Sequence, residues 1–340
     1  MKASYFLGNR TFELRETDPG APGAGEVIVR VAACGVCGTD VHIFYGEKGS
    51  AEVCPPVVLG HEFAGVVERV GVGVSVLKEG DHVTIDPNIY CGECRFCRSG
   101  KKQMCEKMRA VGVTQNGGFA ELCRVPAAQC LLLNPDVPLE TGAMAEPIAC
   151  CIHGIDRVGI RAGDSVLVVG GGAIGLIMIQ LARLSGASQV VLSEPVEMRR
   201  AAGLALGAAA AIDPLTQDLN AELRRVFGAD GADVVIECVG RVSATAQAVS
   251  AARKGGSVLL FSVPKPGDTY PLPLMDVFHK ELTIYGSFVN PDTHQRAVDL
   301  INAGLIHMKP IITHRYALEQ LEAAIAMQTS AESLKVIVVP

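Results

Sequence analysis

The sequence predicts a two-part α/β protein in which a β-rich segment precedes a doubly wound parallel sheet. The chain has 340 residues, more than a single hydrophobic core usually spans. Residues 1–90 are predicted to be all-β, because apolar and polar residues alternate at 26–31 and 66–70 and turn residues separate these runs. From Asp164 onward, continuous apolar runs alternate with helical stretches, which is typical of parallel strands covered on both faces.

The composition excludes several classes of protein. Hydrophobic residues make up 49% of the chain and charged residues 19%, as in a folded globular protein rather than a disordered one. The net charge of -6 argues against a nucleic-acid or anionic-membrane partner. The N-terminus lacks the apolar core of a signal peptide, and no apolar run reads as a membrane span. Twelve cysteines in such a chain favour metal binding over disulfides, so we expect a reducing, cytoplasmic location.

Cys37, His61 and Glu62 form the first candidate site. A thiolate, an imidazole and a carboxylate are the protein ligand types that zinc accepts, and a catalytic zinc takes three of them. Thr39 and His42 lie close to Cys37 in the sequence and offer a hydroxyl and a second imidazole as a proton path. The alternative is a buried cysteine and a core histidine that never meet.

Four cysteines form the second candidate site: Cys91, Cys94, Cys97 and Cys105. Their close spacing predicts a closed, tetrahedral, all-thiolate zinc site. An iron–sulfur cluster also takes four thiolates and is the competing interpretation. A closed site leaves no open position, so we expect this metal to stabilise a loop rather than to take part in chemistry.

Glu146 is the third candidate, at the start of a predicted helix with Pro147 after it. A carboxylate in this apolar setting needs a partner, and a metal or a metal-bound water would provide one. The other interpretation is a carboxylate stabilised by the N-terminal end of the helix dipole. The two interpretations of Glu146 are compatible with each other.

A glycine turn follows the apolar strand at residues 165–169. A helix at 176–184 and a second strand at 189–193 come next, which is the arrangement of a dinucleotide-binding unit. Glu194 is positioned to bind the adenosine ribose hydroxyls and to repel a 2′-phosphate, so NAD is favoured over NADP. Arg199 could instead accommodate that phosphate, or it could pack over the adenine. The candidate pyrophosphate-binding residues are Gly170, Gly172, Ala173, Ile174 and Gly175.

The remaining pattern completes the sheet and returns to the first part of the protein. Four more strands are predicted at 208–212, 232–237, 256–262 and 281–287, with helices at 219–227 and 243–252 between them. Two further helices are predicted at 294–302 and 318–328, and two further strands at 310–316 and 335–339. Ligands lie beyond the carboxyl ends of parallel strands. The candidates for the nicotinamide end are therefore Cys238, Val263, Ser287 and Phe288.

Three features together resemble the zinc-dependent medium-chain dehydrogenases over essentially the whole chain: the motif at residues 37–42 with Gly-His-Glu at 60–62, the four cysteines, and the glycine turn with its acid. The elements at Glu62 and Glu146 look like the polyol (sorbitol-type), threonine and butanediol branch. The resemblance implies a GroES-like β-barrel catalytic domain from 1–145 and 288–340. It also implies an NAD-binding Rossmann domain from 146–287, one catalytic and one structural zinc, and a homo-oligomer, either a dimer or a tetramer.

The resemblance also implies individual roles in the catalytic site. Cys37 and His61 would bind the catalytic zinc, and Glu62 and Glu146 compete for the third protein position. Asp40 would orient the zinc-binding imidazole, although it could instead cap the next helix in an Asx turn.

The activity that the resemblance implies is hydride transfer from a secondary alcohol of polyol type to NAD, giving a ketone. Thr39 and His42 would form the proton relay, and zinc would polarise the alcohol oxygen. An Arg-Tyr pair that contacts polyol hydroxyls in sorbitol-type relatives is replaced by Val289 and Asn290, which argues against sorbitol itself. L-threonine, 2,3-butanediol or a cyclitol are the alternatives. A non-catalytic dinucleotide-binding protein is the alternative from another class.

Overall fold

The computed structural model describes residues 1–47 and 52–340. It divides into two compact units, one formed by Met1–Ala149 with Asn290–Pro340 and the other by Cys150–Val289. In sequence, the second unit is therefore inserted between two segments of the first. Among the helices of the described ranges, none is both long enough and apolar enough to span a membrane.

The strands of the described residues are numbered in chain order: β1 (Lys2–Gly8), β2 (Thr11–Glu16), β3 (Glu26–Gly35), β4 (Val57–Val58), β5 (Glu62–Val70), β6 (His82–Ile85), β7 (Asn88–Ile89), β8 (Arg109–Ala110), β9 (Leu122–Pro126), β10 (Cys130–Leu132), β11 (Ser165–Val169), β12 (Gln189–Ser193), β13 (Ala210–Ile212), β14 (Ala232–Glu237), β15 (Ala252–Leu260), β16 (Thr283–Gly286), β17 (Ile312–Ala317) and β18 (Lys335–Val339).

The α-helices are numbered in the same way: α1 (Gly38–Phe44), α2 (Arg95–Arg98), α3 (Leu139–Gly142), α4 (Ala145–Val158), α5 (Ala173–Leu184), α6 (Glu197–Ala205), α7 (Leu219–Phe227), α8 (Val242–Ala251), α9 (Leu274–Lys280), α10 (His294–Asn302) and α11 (Leu321–Gln328).

The first unit is built around β3. This strand pairs antiparallel with β5, β9 and β18, and β17 extends the sheet by pairing parallel to β18. Alternate side chains of β3 and β5 enter a core that includes the fully buried rings of Phe63 and Phe119. The expectation that residues 1–90 are all-β is wrong at one place, because α1 interrupts the strands directly after β3. The Asp40 carboxylate accepts a hydrogen bond of 2.8 Å from the Cys37 backbone N–H and so stabilises the first turn of this short helix.

The second unit contains a six-stranded parallel sheet in the order β13-β12-β11-β14-β15-β16. The continuous apolar runs are buried on both faces, and Leu167, Val191, Val235 and Val258 are fully inaccessible. The doubly wound arrangement predicted from the sequence is confirmed. Helices α6 and α9 were not among the predicted elements, and α5 begins at Ala173, three residues earlier than expected.

Candidate metal centre and coenzyme site

The pairing of β3 with β5 brings the first candidate site together. Gly35 at the end of β3 is the register partner of Glu62 at the start of β5, so Cys37 and His61 flank this pair. One donor atom from each of Cys37, His61 and Glu62 lies within 4.8 Å of the others. The alternative in which the cysteine and the histidine never meet is therefore excluded. The donor set of one sulfur, one nitrogen and one oxygen matches what zinc accepts.

Asp40 lies beside His61. Its carboxylate is fully buried, and Oδ1 is 3.6 Å from His61 Nδ1. Burial opposes a charged imidazole, but Asp40 and Cys37 outweigh it and hold the pKa of His61 well above its usual value in the metal-free protein. Burial raises the pKa of the Cys37 thiol in the same protein. With Nδ1 facing Asp40, the other ring nitrogen of His61 is left to face a metal.

Lys335 is a member of the site that the sequence did not reveal. This lysine is 5% exposed and forms an ion pair with Glu62. Its Nζ also donates a hydrogen bond of 2.9 Å to the Val36 carbonyl. Burial opposes its charge, yet Glu62 and Cys37 raise its pKa above the usual value, so the lysine stays charged.

Glu146 lies in the first turn of α4 and is 7% exposed. It follows by two residues Met144, whose methyl group packs near Gly35. Within the described ranges, Glu146 is not one of the donors grouped with Cys37. Its place in the first turn agrees with the interpretation as a helix N-terminal carboxylate, and its partnership with a metal or a metal-bound water stays a prediction.

Thr39 and His42 lie on α1, one turn apart, and both are partly buried. The turn that ends α1 folds back, because the Glu47 N–H donates a hydrogen bond of 2.8 Å to the His42 carbonyl. This places the Glu47 carboxylate 2.5 Å from His42 Nδ1. Sequence reasoning missed Glu47. The signal that could have found it is Gly46, which adopts a φ of +78° and allows the chain to reverse.

The four-cysteine group is also assembled. The sulfur atoms of Cys91, Cys94, Cys97 and Cys105 all lie within 4.8 Å of one another, and those of Cys91 and Cys97 are 3.9 Å apart. Sulfurs bound to one tetrahedral zinc at ~2.3 Å would lie roughly 3.8 Å apart. Strands β7 and β8 pair at the base of the lobe, so the chain that carries the cysteines enters and leaves together.

Backbone amides prepare this lobe for a cation. The Cys97 N–H donates to Cys94 Sγ over 3.5 Å, and this contact, followed by one from the Glu106 N–H, is the largest cause that lowers the pKa of Cys94 to about 6. Burial raises the pKa of Cys105, but the Cys91 N–H at 3.4 Å helps to bring the net value below the usual one. Burial raises the pKa of Cys97 to about 12. Two of the thiols are therefore inclined to ionise before a metal binds, as metal ligation requires.

The glycine turn joins β11 to α5 in the second unit. A Cβ on Gly175 would lie 1.9 Å from the Gly170 carbonyl oxygen, so only glycine allows this approach of helix to strand. Gly172 is the N-cap of α5, has open space around it, and has no side-chain cap. The amides of Ala173 and Ile174 in the first turn of α5 are therefore available to an anion at the helix N-terminus.

Glu194 directly follows β12 and faces this turn. It is 3% exposed, and its Oε2 accepts a hydrogen bond of 2.6 Å from the Gly171 N–H. Its Oε1 accepts from the Val196 N–H over 2.8 Å, so the carboxylate is held by backbone on both sides. The Arg199 side chain begins beside Gly171 as well. Glu194, which would repel a ribose 2′-phosphate, and Arg199, which could accommodate one, therefore both lie at the glycine turn.

The remaining coenzyme candidates follow three neighbouring strands of the same sheet. Cys238 comes directly after β14, and burial raises its pKa well above the usual value. Val263 is 60% exposed shortly after β15, and Ser287 and Phe288, both half-buried, follow β16. Glu237 was not predicted. It is 2% exposed and accepts hydrogen bonds from the Val239 and Gly240 amides, which hold this loop.

Comparison with known proteins identifies the family. The model described as "Alcohol dehydrogenase GroES-like domain" matches residues 23–135, and "Zinc-binding dehydrogenase" matches residues 173–303. The L-threonine 3-dehydrogenase of Bacillus licheniformis is 34% identical over 340 residues, covering 95% of this chain and 97% of that protein. The chain belongs to the zinc-dependent medium-chain dehydrogenases.

Two further relatives support this membership. The L-idonate 5-dehydrogenase of Vitis vinifera is 35% identical over 335 residues, which is 97% of this chain and 91% of that protein. A crystal structure from Sinorhizobium meliloti 1021, assigned to the zinc-binding dehydrogenases and bound to NADP, has a TM-score of 0.94 and 37% identity. It covers 100% of this chain and 99% of that one. The predicted family, its two-part α/β fold and the activity class are confirmed: the chain is a zinc-dependent oxidoreductase of alcohol groups that uses a nicotinamide coenzyme.

Proposed function

We propose that this dehydrogenase oxidises a secondary alcohol that carries a neighbouring hydroxyl or amino group, and that the product is a ketone. The observation that supports this most directly is the grouping of Cys37, His61 and Glu62 donors within 4.8 Å. These three residues would hold the catalytic zinc, and Glu146 would act beside it through water. When bound, zinc would polarise the alcohol oxygen and favour the loss of its proton.

The chain's own residues supply the rest of the proposed mechanism. Thr39 would accept the proton of the alcohol and pass it to His42, and Glu47 would hold the imidazole in the orientation that receives it. Asp40 would keep the His61 ring oriented. The amides at the start of α5 would bind the coenzyme pyrophosphate. Cys238, Val263, Ser287 and Phe288 would line the nicotinamide end.

The substrate class rests on relatives and on one departure from sorbitol-type proteins. Relatives named as L-threonine and L-idonate dehydrogenases act on secondary alcohols with a polar neighbour. Asn290, at the position comparable to a polyol-contacting residue, is fully buried and bonded to Asn88 and His294. An amide that is satisfied inside the protein is a poor contact for a substrate hydroxyl. Sorbitol is therefore disfavoured.

A substrate panel tests this proposal. NADH formation is followed with sugar acids, polyols, cyclitols, 2,3-butanediol and L-threonine, each with and without a zinc chelator. We expect turnover within one of these classes and its loss on chelation. Silence across the whole panel from protein that contains zinc and binds NADH would contradict the proposed substrate class. Turnover that survives removal of all zinc would contradict the proposed site.

Glu47 provides a prediction about the proton path. We expect Glu47→Gln to lower kcat by about 5–10-fold with little change in KM, because the imidazole of His42 loses the carboxylate that orients it. Steady-state kinetics measure both constants. The matched control is Glu68→Gln, which removes an exposed carboxylate paired with Arg30. An unchanged kcat in the Glu47 variant would show that His42 needs no such partner.

Glu194 provides a prediction about the coenzyme. We propose NAD rather than NADP, because this buried carboxylate lies at the glycine turn and a 2′-phosphate there would be repelled. We expect Glu194→Ser to reduce kcat/KM for NAD by about tenfold or more, with NADP reduced much less. The NADP-bound relative makes the comparison necessary. Equal losses with both coenzymes would contradict the assignment, and Glu197→Ser, on the adjacent helix, is the control.

We also propose a homo-oligomer and a cytoplasmic location. The edge strand β16 has a strand neighbour on one side only within the described sheet. Nearby in the sequence, α9 exposes Leu274 at 76%, Met275 at 64% and Phe278 at 74%. An open strand edge and exposed apolar side chains each favour association with a second copy. Analytical ultracentrifugation measures the oligomeric state, and a monomer at micromolar concentration would contradict the proposed homo-oligomer.

A further inference from the structure

We propose that Lys335 is a positioning residue that sets how Glu62 engages the catalytic zinc. The proposal rests on the metal centre assigned above to Cys37, His61 and Glu62. Lys335 would leave only one carboxylate oxygen of Glu62 free to bind the metal, and it would weaken the bond between that oxygen and the metal. The consequence is a zinc that is held less tightly but remains more electrophilic and keeps an open position.

The first argument is the fixed geometry of the lysine. Lys335 begins β18, which is paired with β17 on one side and with β3 on the other. Its Nζ donates to the Val36 carbonyl, one residue before Cys37, and forms its ion pair through Glu62 Oε2. One carboxylate oxygen therefore faces the ammonium group, and the other remains for the metal.

The second argument is the space that the chain keeps for this pair. A Cβ on Gly35 would lie 2.2 Å from Glu62 Oε2 and 3.0 Å from the Lys335 Cε carbon. Any other residue at this point of β3 would displace the carboxylate or the lysine. The glycine thus leaves room for the ion pair inside a sheet that is otherwise closely packed.

The third argument is charge. A thiolate and a carboxylate together would neutralise a divalent cation, and a fully neutralised zinc polarises its substrate less. A buried ammonium group beside Glu62 offsets part of the negative charge of the carboxylate and also repels the metal. Both effects are strong because water is excluded from this site.

The test separates a positioning role from a merely structural one. Lys335→Met removes the charge and keeps the length of the side chain. We expect the catalytic zinc to leave the protein to a chelator at least about tenfold more slowly, while kcat falls at least about tenfold. If Lys335 only supported packing, its replacement would loosen the site, and zinc would leave the variant faster while kcat also fell.

Three further variants serve as a control, a replacement and a reference for the measurement of zinc release. Lys280→Met is the matched control, since Lys280 Nζ donates to two backbone carbonyls, of Ser250 and Ala252, in the second unit. It should leave zinc release unchanged. Lys335→Gln, which keeps a donor for the Val36 carbonyl, replaces the methionine variant if that variant does not fold, and the same slowing is expected. Cys37→Ala identifies which kinetic phase of zinc release belongs to the catalytic site.

The outcomes are distinguishable. Unchanged or faster release of the catalytic zinc from the folded Lys335 variant overturns the role proposed for Lys335 and leaves the metal centre intact. If Cys37→Ala instead retains both zinc ions with unaltered release, the metal centre assigned to Cys37 is wrong. In that case the failure lies in the proposed function and not in the role of the lysine.

Discussion

Replacing Cys37 with alanine is expected to lower kcat by at least about 10³-fold while the protein stays folded. The variant removes the sulfur donor from the group formed with His61 and Glu62. Without it, the remaining imidazole and carboxylate hold zinc weakly, and the alcohol loses the charge that makes it a hydride donor. Turnover and zinc content per chain are measured together, and circular dichroism verifies the fold.

Cys34 supplies the matched control for this experiment. It lies three residues earlier, is fully buried, and its thiol contacts the Gly35 carbonyl rather than the metal donors. Cys34→Ala should keep both the zinc content and most of the activity, at a modest cost in stability. Near-normal turnover in Cys37→Ala would overturn the assignment of the catalytic metal.

Removing one thiolate from the four-cysteine lobe is expected to affect stability rather than chemistry. We expect Cys97→Ala to lose the structural zinc and to lower the midpoint of thermal unfolding by about 5–10 °C. The short pair β7 and β8 closes the lobe at its base, and we expect the segment that carries the cysteines to depend on the metal for its order. Metal analysis measures the zinc content and a thermal melt measures the midpoint. Limited proteolysis is expected to show faster cleavage within residues 91–105 of the variant.

Cys130→Ala is the control for the lobe. Burial raises the pKa of this thiol to about 12, so it is a neutral packing group and not a ligand. It should leave the zinc content unchanged. Retention of the full zinc content by Cys97→Ala would show that the lobe does not hold the metal through all four sulfurs.

Local patterns predicted most of the second unit. Strands β12 and β14 and helix α7 lie at the residues expected, because continuous apolar runs and turn glycines mark their ends. Helix α1 escaped this reasoning since it is seven residues long and its first turn is stabilised by one side chain, Asp40. The order of the motifs was enough to predict the family.

The contacts that complete the metal centre have no local pattern. Lys335 is 299 residues from Val36, the carbonyl to which it donates, and nothing in the sequence around either residue indicates the pair. Glu47 lies close to its partner His42, but its role depends on a reversal at one glycine. Sequence patterns therefore predicted the candidate metal donors, whereas the charged residues beside them were visible only in three dimensions.

The position of β18 has a consequence for how the protein is made. The end of β3, at Cys34 and Gly35, takes β18 as its neighbour, and every residue of the second unit is translated between the two. During synthesis that edge of β3 remains unpaired and Glu62 is buried without its counter-charge. A ribosome-bound chain is therefore expected to present an open, aggregation-prone edge and an immature metal pocket until residues 335–339 emerge.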